Sequence, residues 1–294
     1  MRWLKGAWSE VRQLPKAAWI PVAVFLFIGV FAPWLTPKDP IAQNLLNASQ
    51  DFSAEHWLGT DHLGRDTLSR LIMAARTSTV AIATVIGLAL FIGVTLGAIA
   101  GYMRGVVDEL VSRVIDVGLS LPSLIVALAV IGVFGTGFWI MIFALALAWW
   151  PGYARLSRAV VISIMSQPYI EALRVLGASP ARIMILHLLP SALGAVMVYA
   201  SAEAGVVALA IATLSFLGLG IQPPTPEWGQ MLVDALPYMA DTPRQVILPG
   251  LALTLVVIGF NLLGESITLK RTPRSISKLL LRRRRLQAAI ESYQ

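Results

Sequence analysis

An unbroken stretch of 38 residues without a charged side chain lies near the middle of the chain. Residues 117–154 read VGLSLPSLIVALAVIGVFGTGFWIMIFALALAWWPGYA. A helix that spans a bilayer needs about 20 mostly apolar residues, so this stretch is long enough for two such helices. Gly135-Thr136-Gly137 divides it, because glycine permits the backbone conformations of a tight turn. The stretch therefore predicts a helical hairpin inside a membrane.

The composition of the whole chain agrees with a membrane protein. Of 294 residues, 57% are hydrophobic and only 13% are charged, about half the charged share of a soluble domain. The mean hydropathy is +0.74. A water-soluble fold of this size cannot hide so much apolar surface. The composition excludes ordinary soluble enzymes and disordered binding proteins.

Other uncharged stretches along the chain extend the hairpin to an all-α membrane protein with six transmembrane helices. The predicted transmembrane helices are 18–36, 77–101, 114–134, 138–157, 189–214 and 246–265. The segments outside them are an amphipathic N-terminal helix at 1–17, loops at 37–76 and 158–188, an irregular segment at 215–245 and a basic tail at 266–294.

The basic residues predict the orientation of this chain in the membrane. With six transmembrane helices, 18 of the 23 Lys and Arg residues fall on the side that holds both termini. Loops on the cytoplasmic side are enriched in Lys and Arg. We therefore expect a multi-pass protein of the cytoplasmic membrane with both termini in the cytoplasm. The cations of the two tails suit membrane lipid headgroups, and no folded nucleic-acid module accompanies them.

The chain offers few residues for metal or covalent chemistry. It has no cysteine, which excludes disulfides, thiolate metal sites and cysteine nucleophiles. Its three histidines, His56, His62 and His187, lack the spacing of metal ligands. No Gly-x-x-x-x-Gly-Lys-Ser/Thr is present, so the chain has no P-loop for ATP. We predict no catalytic residue, no metal site and no cofactor on this chain.

The segment before the fifth predicted transmembrane helix carries the signals of two short helices. Pro168 suits a first helical turn, and Gly177 suits a left-handed helix end. Ser179 is placed to cap a second helix that starts at Pro180. Connections between helices are usually only a few residues long. A bent pair of helices in this position is therefore expected to contact another molecule.

The same segment resembles a motif of a known family. Residues 169–190, which we name the EAA-like loop, read YIEALRVLGASPARIMILHLLP. They resemble the EAA loop of permease subunits in binding-protein-dependent ABC importers. Glu171, Ala172, Gly177 and Leu189-Pro190 match that pattern, whereas Leu173 replaces its second alanine.

Three further stretches resemble the dipeptide, oligopeptide and nickel permeases, in the order found in their second, or C-type, subunit. One is GTDHLGRD at 59–66, followed by Ser69-Arg70-Leu71, and another is SFLGLGIQPPTPEWG at 215–229. The third is the set of residues that resembles the family's third-helix entry: Gly101-Tyr102, Asp108, Arg113, Asp116 and Pro122. The subfamily's Asp-rich stretch is missing, because residues 265–270 read ESITLK.

The resemblance implies a type I ABC importer permease fold, with its transmembrane core at 77–265. It implies a non-enzymatic subunit that moves peptides or similar small solutes by alternating access, while ATP and Mg²⁺ bind to partner ATPase subunits. The implied partners are a second homologous permease, two ABC ATPases and an extracytoplasmic binding protein. The residues implied to dock on the ATPase are in the EAA-like loop: Glu171, Ala172, Arg174, Gly177 and Ala178.

Charged residues at membrane depth are functional candidates by default. Glu203 lies within the fifth predicted transmembrane helix, where it either lines the translocation path, pairs with a basic residue of a partner subunit, or lies near a wet cavity without a specific role. Arg113 and Asp116, three residues apart, are expected to pair with each other. Gly93, Gly97 and Gly101 form a small-residue face for packing inside the chain or between subunits.

Two other functions compete with the importer subunit. An intramembrane serine protease would use a Ser–His pair, for which Ser179 and His187 are the available residues. An ATP-independent secondary transporter often contains inverted repeats, and none is evident in this chain. Dependence on a co-purifying ATPase distinguishes the importer from the secondary transporter.

Overall fold

The computed structural model describes residues 16–271, with side chains for 19–267. Within that range the chain is helical apart from its loops and one isolated β-bridge between Thr60 and Asp66. The helices are α1 (Lys16–Leu35), α2 (Thr67–Met103), α3 (Gly105–Ser120), α4 (Ser123–Phe134), α5 (Phe138–Met165), α6 (Pro168–Val175), α7 (Pro180–Ile183), α8 (Leu189–Phe216), α9 (Trp228–Ala235) and α10 (Arg244–Arg271). The prediction of an all-α membrane protein is confirmed.

The described helices account for most of the expected membrane crossings. Four are long and apolar enough to cross: Thr67–Met103, Phe138–Met165, Pro180–Phe216 and Arg244–Ile267. The bent pair α3 and α4 makes a fifth if it is one crossing, and Trp19–Leu35 is a shorter apolar helix. The count of six transmembrane helices stays a prediction. The predicted N-terminal helix at 1–17 and most of the predicted tail at 266–294 lie outside the described residues.

The hairpin of α4 and α5 follows the predicted turn, and the helix before it bends. Gly135 and Gly137 have φ angles of +90° and +141°, which glycine adopts without strain. The sequence predicted one helix over 114–134, but the structure bends by 92° between α3 and α4. Pro122 lies at that break, and its fixed ring disfavours a helical conformation at the preceding residue.

Glycines bring α2 and α5 into close contact. A Cβ atom on Gly97 would lie 2.2 Å from the carbonyl oxygen of Ala154, and one on Gly93 would lie 2.7 Å from that of Trp150. Only residues without a Cβ fit at these two positions. The small-residue face therefore packs inside this chain, which was one of the two predicted alternatives; the other was a contact between subunits.

Two apolar clusters organise the interior. The larger lies between α1, α2, α5, α8 and α10, and contains fully buried residues such as Val85, Leu145 and Leu214. The smaller lies beneath the EAA-like loop and has these buried members: Ala98, Val161, Ile170, Ile183, Leu188 and Ala192. The smaller cluster fixes the EAA-like loop to α2, α5 and α8.

Candidate functional site

The EAA-like loop contains the two short helices that the sequence predicts. Helix α6 begins at Pro168, and Gly177 follows its end with a φ of +79°. The backbone N–H of Ala178 donates to the carbonyl of Leu173 at 3.0 Å, closing the helix as a Schellman motif does. The side chain of Ser179 then accepts from the N–H of Arg182 at 3.3 Å and caps α7. The bent shape is thus encoded by local hydrogen bonds.

The helical path continues from α7 into α8 and is not interrupted at Pro190. A π-helical turn, Met184–Leu188, joins α7 to α8, so Pro180–Phe216 forms one long helical unit. Pro190 lies in the first turn of α8, directly after this π-helical turn. The far end of the EAA-like loop is therefore continuous with a helix long enough to cross the membrane.

One face of the EAA-like loop is buried and the other is open. Ile170 and Ile183 are fully buried in the smaller cluster, and Leu173 and Ala178 pack partly against it. A Cβ atom on Gly177 would meet nothing within 4 Å in this chain. The anchored face holds the position of the loop, while the open face leaves space for another molecule.

The predicted docking residues divide between these two faces. Glu171, Ala172, Arg174 and Gly177 are exposed, whereas Ala178 is half-buried on the anchored face. Glu171 and Arg174 form no ion pair within 4.0 Å, although both lie in the described part of the chain. Arg174 instead approaches Met165, with Nη2 3.7 Å from its sulfur. The open face thus presents both charges to a partner.

Two apolar residues of this face were not singled out from the sequence. Val175 and Leu176, next to each other at the end of α6, are each 82% exposed. The sequence did contain a signal for them: the EAA-like loop has more apolar residues than its buried face uses, and these two directly precede Gly177. They add an apolar patch to the charged open face.

The structure does not support the intramembrane serine protease hypothesis. The Ser179 hydroxyl oxygen serves as a helix cap, and the ring of His187 lies beside that of Tyr169, with centroids 6.1 Å apart. No hydrogen bond joins Ser179 to His187 in the described chain. The intramembrane protease hypothesis is therefore rejected.

Ion pairs attach α3 to α5. The Arg158 guanidinium donates to both carboxylate oxygens of Asp108, with Nη2 2.7 Å from Oδ2. Arg155 pairs with Asp116 at 2.5 Å. The expected pair of Arg113 with Asp116 is wrong, because Arg113 pairs with Glu109 one turn before it. Asp116 faces α5 instead, where a long-range partner is available.

A buried group of charges fixes the loop between α1 and α2. We name Asp61, Arg65, Arg70 and Asp234 the ionic cluster. Asp61 Oδ2 lies 2.6 Å from Arg65 Nε and 3.4 Å from Arg70 Nε. Asp234 Oδ2 lies 3.8 Å from Arg65 Nη2 and 4.0 Å from Arg70 Nη2. The cluster therefore ties this loop and the start of α2 to α9, and its formal charges cancel.

Neighbouring residues complete the attachment of the loop. The Asp66 carboxylate caps α2 by accepting from the N–H of Ser69 at 2.8 Å, and it contacts His56 Nδ1 at 2.9 Å. Arg244, at the start of α10, pairs with Asp51 at 2.5 Å and donates to the carbonyl of Gln50 at 2.7 Å. The motif at 59–66 is therefore a structural junction in which loop, α2, α9 and α10 meet.

Glu227 is a buried carboxyl at the start of α9. It accepts from the N–H of Gln230 at 3.0 Å and so caps the helix. Burial is the main cause that raises its pKa above the ordinary value of 4.5, and hydrogen bonds from backbone N–H groups act in the opposite direction. Gly229 permits close contact with α8, because a Cβ there would lie 2.1 Å from the carbonyl oxygen of Ala212.

Glu203 lies halfway along α8, facing α5. The indole N–H of Trp149 donates to its carboxylate at 3.1 Å. Its side chain is half-buried. Of the residues between 19 and 267, no group of three or more His, Asp or Glu side chains is arranged to hold a metal ion. The Glu203 carboxylate therefore has a neutral hydrogen-bond donor beside it in Trp149.

Comparison with known proteins identifies relatives over nearly the whole chain. Residues 93–274 match the family "binding-protein-dependent transport system inner membrane component". The nickel transport system permease protein NikC of Escherichia coli K12 is 38% identical over 264 residues, which cover 90% of this chain and 94% of NikC. The dipeptide transport system permease protein DppC of Alkalihalophilus pseudofirmus is 40% identical over 267 residues, 88% of each chain.

Two more comparisons extend this result. The glutathione transport system permease protein GsiD of Pectobacterium atrosepticum is 38% identical over 259 residues, 87% of this chain and 85% of GsiD. Among solved structures, a chain of the inward-facing MetNI methionine ABC transporter aligns with a TM-score of 0.50 and 19% identity. The alignment covers 67% of this chain and 94% of that chain. This last likeness is one of fold.

Proposed function

The chain belongs to the family of inner-membrane components of binding-protein-dependent transport systems, and from this premise we propose that it moves peptides or similar small solutes inward by ATP-driven alternating access. It is an ABC importer permease of the dipeptide and nickel group. The proposal adds the solute, the coupling to ATP and the residues that carry the coupling.

The open face of the EAA-like loop is the observation that carries the proposal. Its base is fixed by the buried Ile170 and Ile183, while Val175 and Leu176 remain exposed beside the charges of Glu171 and Arg174. An anchored loop with an exposed mixed surface suits a partner that pushes on it. We propose that this partner is an ATPase subunit, that ATP and Mg²⁺ bind there, and that the movement reaches the membrane through α8.

The proposed assembly contains this chain, a second homologous permease, two ATPase subunits and an extracytoplasmic binding protein, with both termini of this chain in the cytoplasm. Solute passes between the two permeases, whose conformations are selected by the bound partners. Peptides are the proposed solutes, since one relative is named for dipeptide transport and another for glutathione transport. The relative named for nickel transport makes a metal chelate the alternative solute.

The test is a detergent pull-down of the tagged chain, with ATPase activity measured for wild type and for Gly177→Asp. The Asp side chain would enter space that is empty in this chain, and Asp tolerates a positive φ better than most residues. We expect the variant to reach the membrane but lose the ATPase subunits.

Gly218→Asp is the matched control. Gly218 has a φ of +73° and, like Gly177, nothing within 4 Å of a built Cβ, but it lies beyond the other end of α8. This control should retain the ATPases. If wild type purifies alone and transports solute in liposomes without ATP, the chain is a secondary transporter and the proposal is wrong.

A further inference from the structure

Glu203 is a carboxylate placed in the middle of an apolar helix. It lies within Pro180–Phe216, one of the four helices long and apolar enough to cross a membrane. A charged side chain at membrane depth is costly unless it is paired or faces a water-filled space. The contacts around Glu203 therefore indicate what it is arranged to bind.

Aromatic side chains surround this carboxylate. The Trp149 indole donates one hydrogen bond at 3.1 Å, and Tyr199 precedes Glu203 by one helical turn. The rings of Tyr199 and Tyr153 meet edge to face, with centroids 5.6 Å apart. Tyr153 is fully buried, and its hydroxyl has no hydrogen-bond partner among the described residues. A neutral indole N–H satisfies part of the capacity of a carboxylate for hydrogen bonds but supplies no positive charge.

Nothing in the described chain balances the charge of Glu203. No Lys, Arg or His of residues 19–267 lies within ion-pair distance of it. The two basic residues on α5, the helix it faces, are already engaged, because Arg155 pairs with Asp116 and Arg158 with Asp108. The described residues therefore supply no counter-charge to this carboxylate.

The site is open on the side that faces away from the protein core. Tyr199, Glu203 and Val206 share one face of α8, since they are spaced by four and three residues. Tyr199 is 39% exposed and Val206 is 46% exposed, and Glu203 is half-buried between them. The Glu203 side chain is therefore partly accessible from this face.

We propose that Glu203, Trp149 and Tyr199 form a binding site for a protonated amine group of the transported solute. The proposal rests on the importer function proposed above. The carboxylate supplies the opposite charge and accepts a charge-assisted hydrogen bond from the ammonium, while the Trp149 N–H holds the carboxylate in place. The site thereby specifies the chemical class of the solute group, an ammonium, that this permease recognises during passage.

The absence of cysteine makes a direct test possible, because each introduced cysteine is the only thiol of the chain. Val206→Cys places a reporter one turn from Glu203. Met197→Cys is the control reporter on the same helix, similarly exposed at 53% but six residues before Glu203, roughly 9 Å along the axis. The probes are 2-aminoethyl methanethiosulfonate, which carries a protonated amine, and 2-sulfonatoethyl methanethiosulfonate, which is anionic.

The measured quantity is the ratio of the two labelling rates on this chain's gel band, for the assembled importer in native membranes. A change in thiol ionisation affects both probes equally, so the ratio reports the local charge. We expect Glu203→Gln to lower the cation-to-anion ratio at Val206→Cys by about tenfold. The ratio at Met197→Cys should change by only about threefold, because the carboxylate is roughly twice as far away and the Coulomb energy falls with the inverse of distance.

Glu203→Asp, which keeps the charge, should retain the high ratio at Val206→Cys. Equal ratios for Glu203 and Glu203→Gln, or no labelling of Val206→Cys by either probe, would overturn the amine site. Labelling of Val206→Cys only after removal of the second permease would also overturn it, and would assign Glu203 to a subunit contact. Co-purification of the ATPases with each reporter is measured in parallel, so failure of this site is distinguished from failure of the importer proposal.

Discussion

Replacing Asp61 by Asn should weaken the junction between the α1–α2 loop and α9. Asn has nearly the same shape, and its side-chain oxygen can still accept the backbone N–H groups of Leu63 and Arg65, which Asp61 Oδ1 accepts at 2.9 and 3.0 Å. The substitution therefore removes mainly the negative charge. Arg65 and Arg70, each 2% exposed, are left with one acidic partner, Asp234.

The size of the effect follows from burial. Removing one partner of a buried ion pair costs about 3–5 kcal/mol, because an uncompensated charge remains. Asp234 still offsets part of the charge from 3.8 and 4.0 Å, which places our expectation at the lower end, about 3 kcal/mol. For a chain of 294 residues, that loss corresponds to a melting temperature lower by roughly 5 °C.

The assay is thermal unfolding of the purified importer followed by tryptophan fluorescence. Trp228, one of the nine tryptophans of the chain, is buried in α9, the helix that carries Asp234, so part of the signal comes from the junction. Asp51→Asn is the matched control, since Asp51 also pairs with an arginine, Arg244, but its side chain is 87% exposed. Such a pair contributes about 0–1 kcal/mol. A melting temperature for Asp61→Asn no lower than that for Asp51→Asn would refute the claim that the ionic cluster stabilises the junction.

Two further predictions concern packing and pH. Gly97→Ala should destabilise the α2–α5 contact by about 3 kcal/mol, because its Cβ would overlap α5. Gly87→Ala is the control and should be neutral or stabilising, because a Cβ on Gly87 would meet no atom within 4 Å. Equal melting temperatures for the two variants would contradict the close contact of α2 with α5. The raised pKa of Glu227 means that the folded state binds this proton more tightly than the unfolded state, so the contribution to stability is lost as pH rises from 4.5 through the raised value. Glu227→Gln should abolish that part of the pH dependence of melting while keeping the helix cap, and an unchanged pH profile would show that another group titrates.

The local features of the EAA-like loop could be predicted because they depend on neighbours in sequence. Pro168 at a helix start, Gly177 after a helix end and Ser179 as a cap all act within five residues. The hairpin turn at Gly135 is of the same kind. Capping and positive φ angles are properties of single residues, so the printed order of amino acids is sufficient.

Features that depend on distant contacts could not be predicted. Asp116 had a plausible partner three residues away, but its actual partner, Arg155, is 39 residues further on. Hydropathy also could not predict the 92° bend between α3 and α4, because it measures the preference of residues for lipid and not the direction of a helix axis. The contributions of Val175 and Leu176 become evident only once the buried face of their loop is known.

The length of α2 has a mechanical consequence. Its 37 residues extend about 55 Å, well beyond the roughly 30 Å hydrocarbon core of a bilayer. No proline interrupts it. Arg70 near one end belongs to the ionic cluster, while Ala98 near the other packs with Ile170 beneath the EAA-like loop, about 42 Å away along the axis. Helix α2 therefore joins the ionic cluster to the base of the EAA-like loop as one uninterrupted helix.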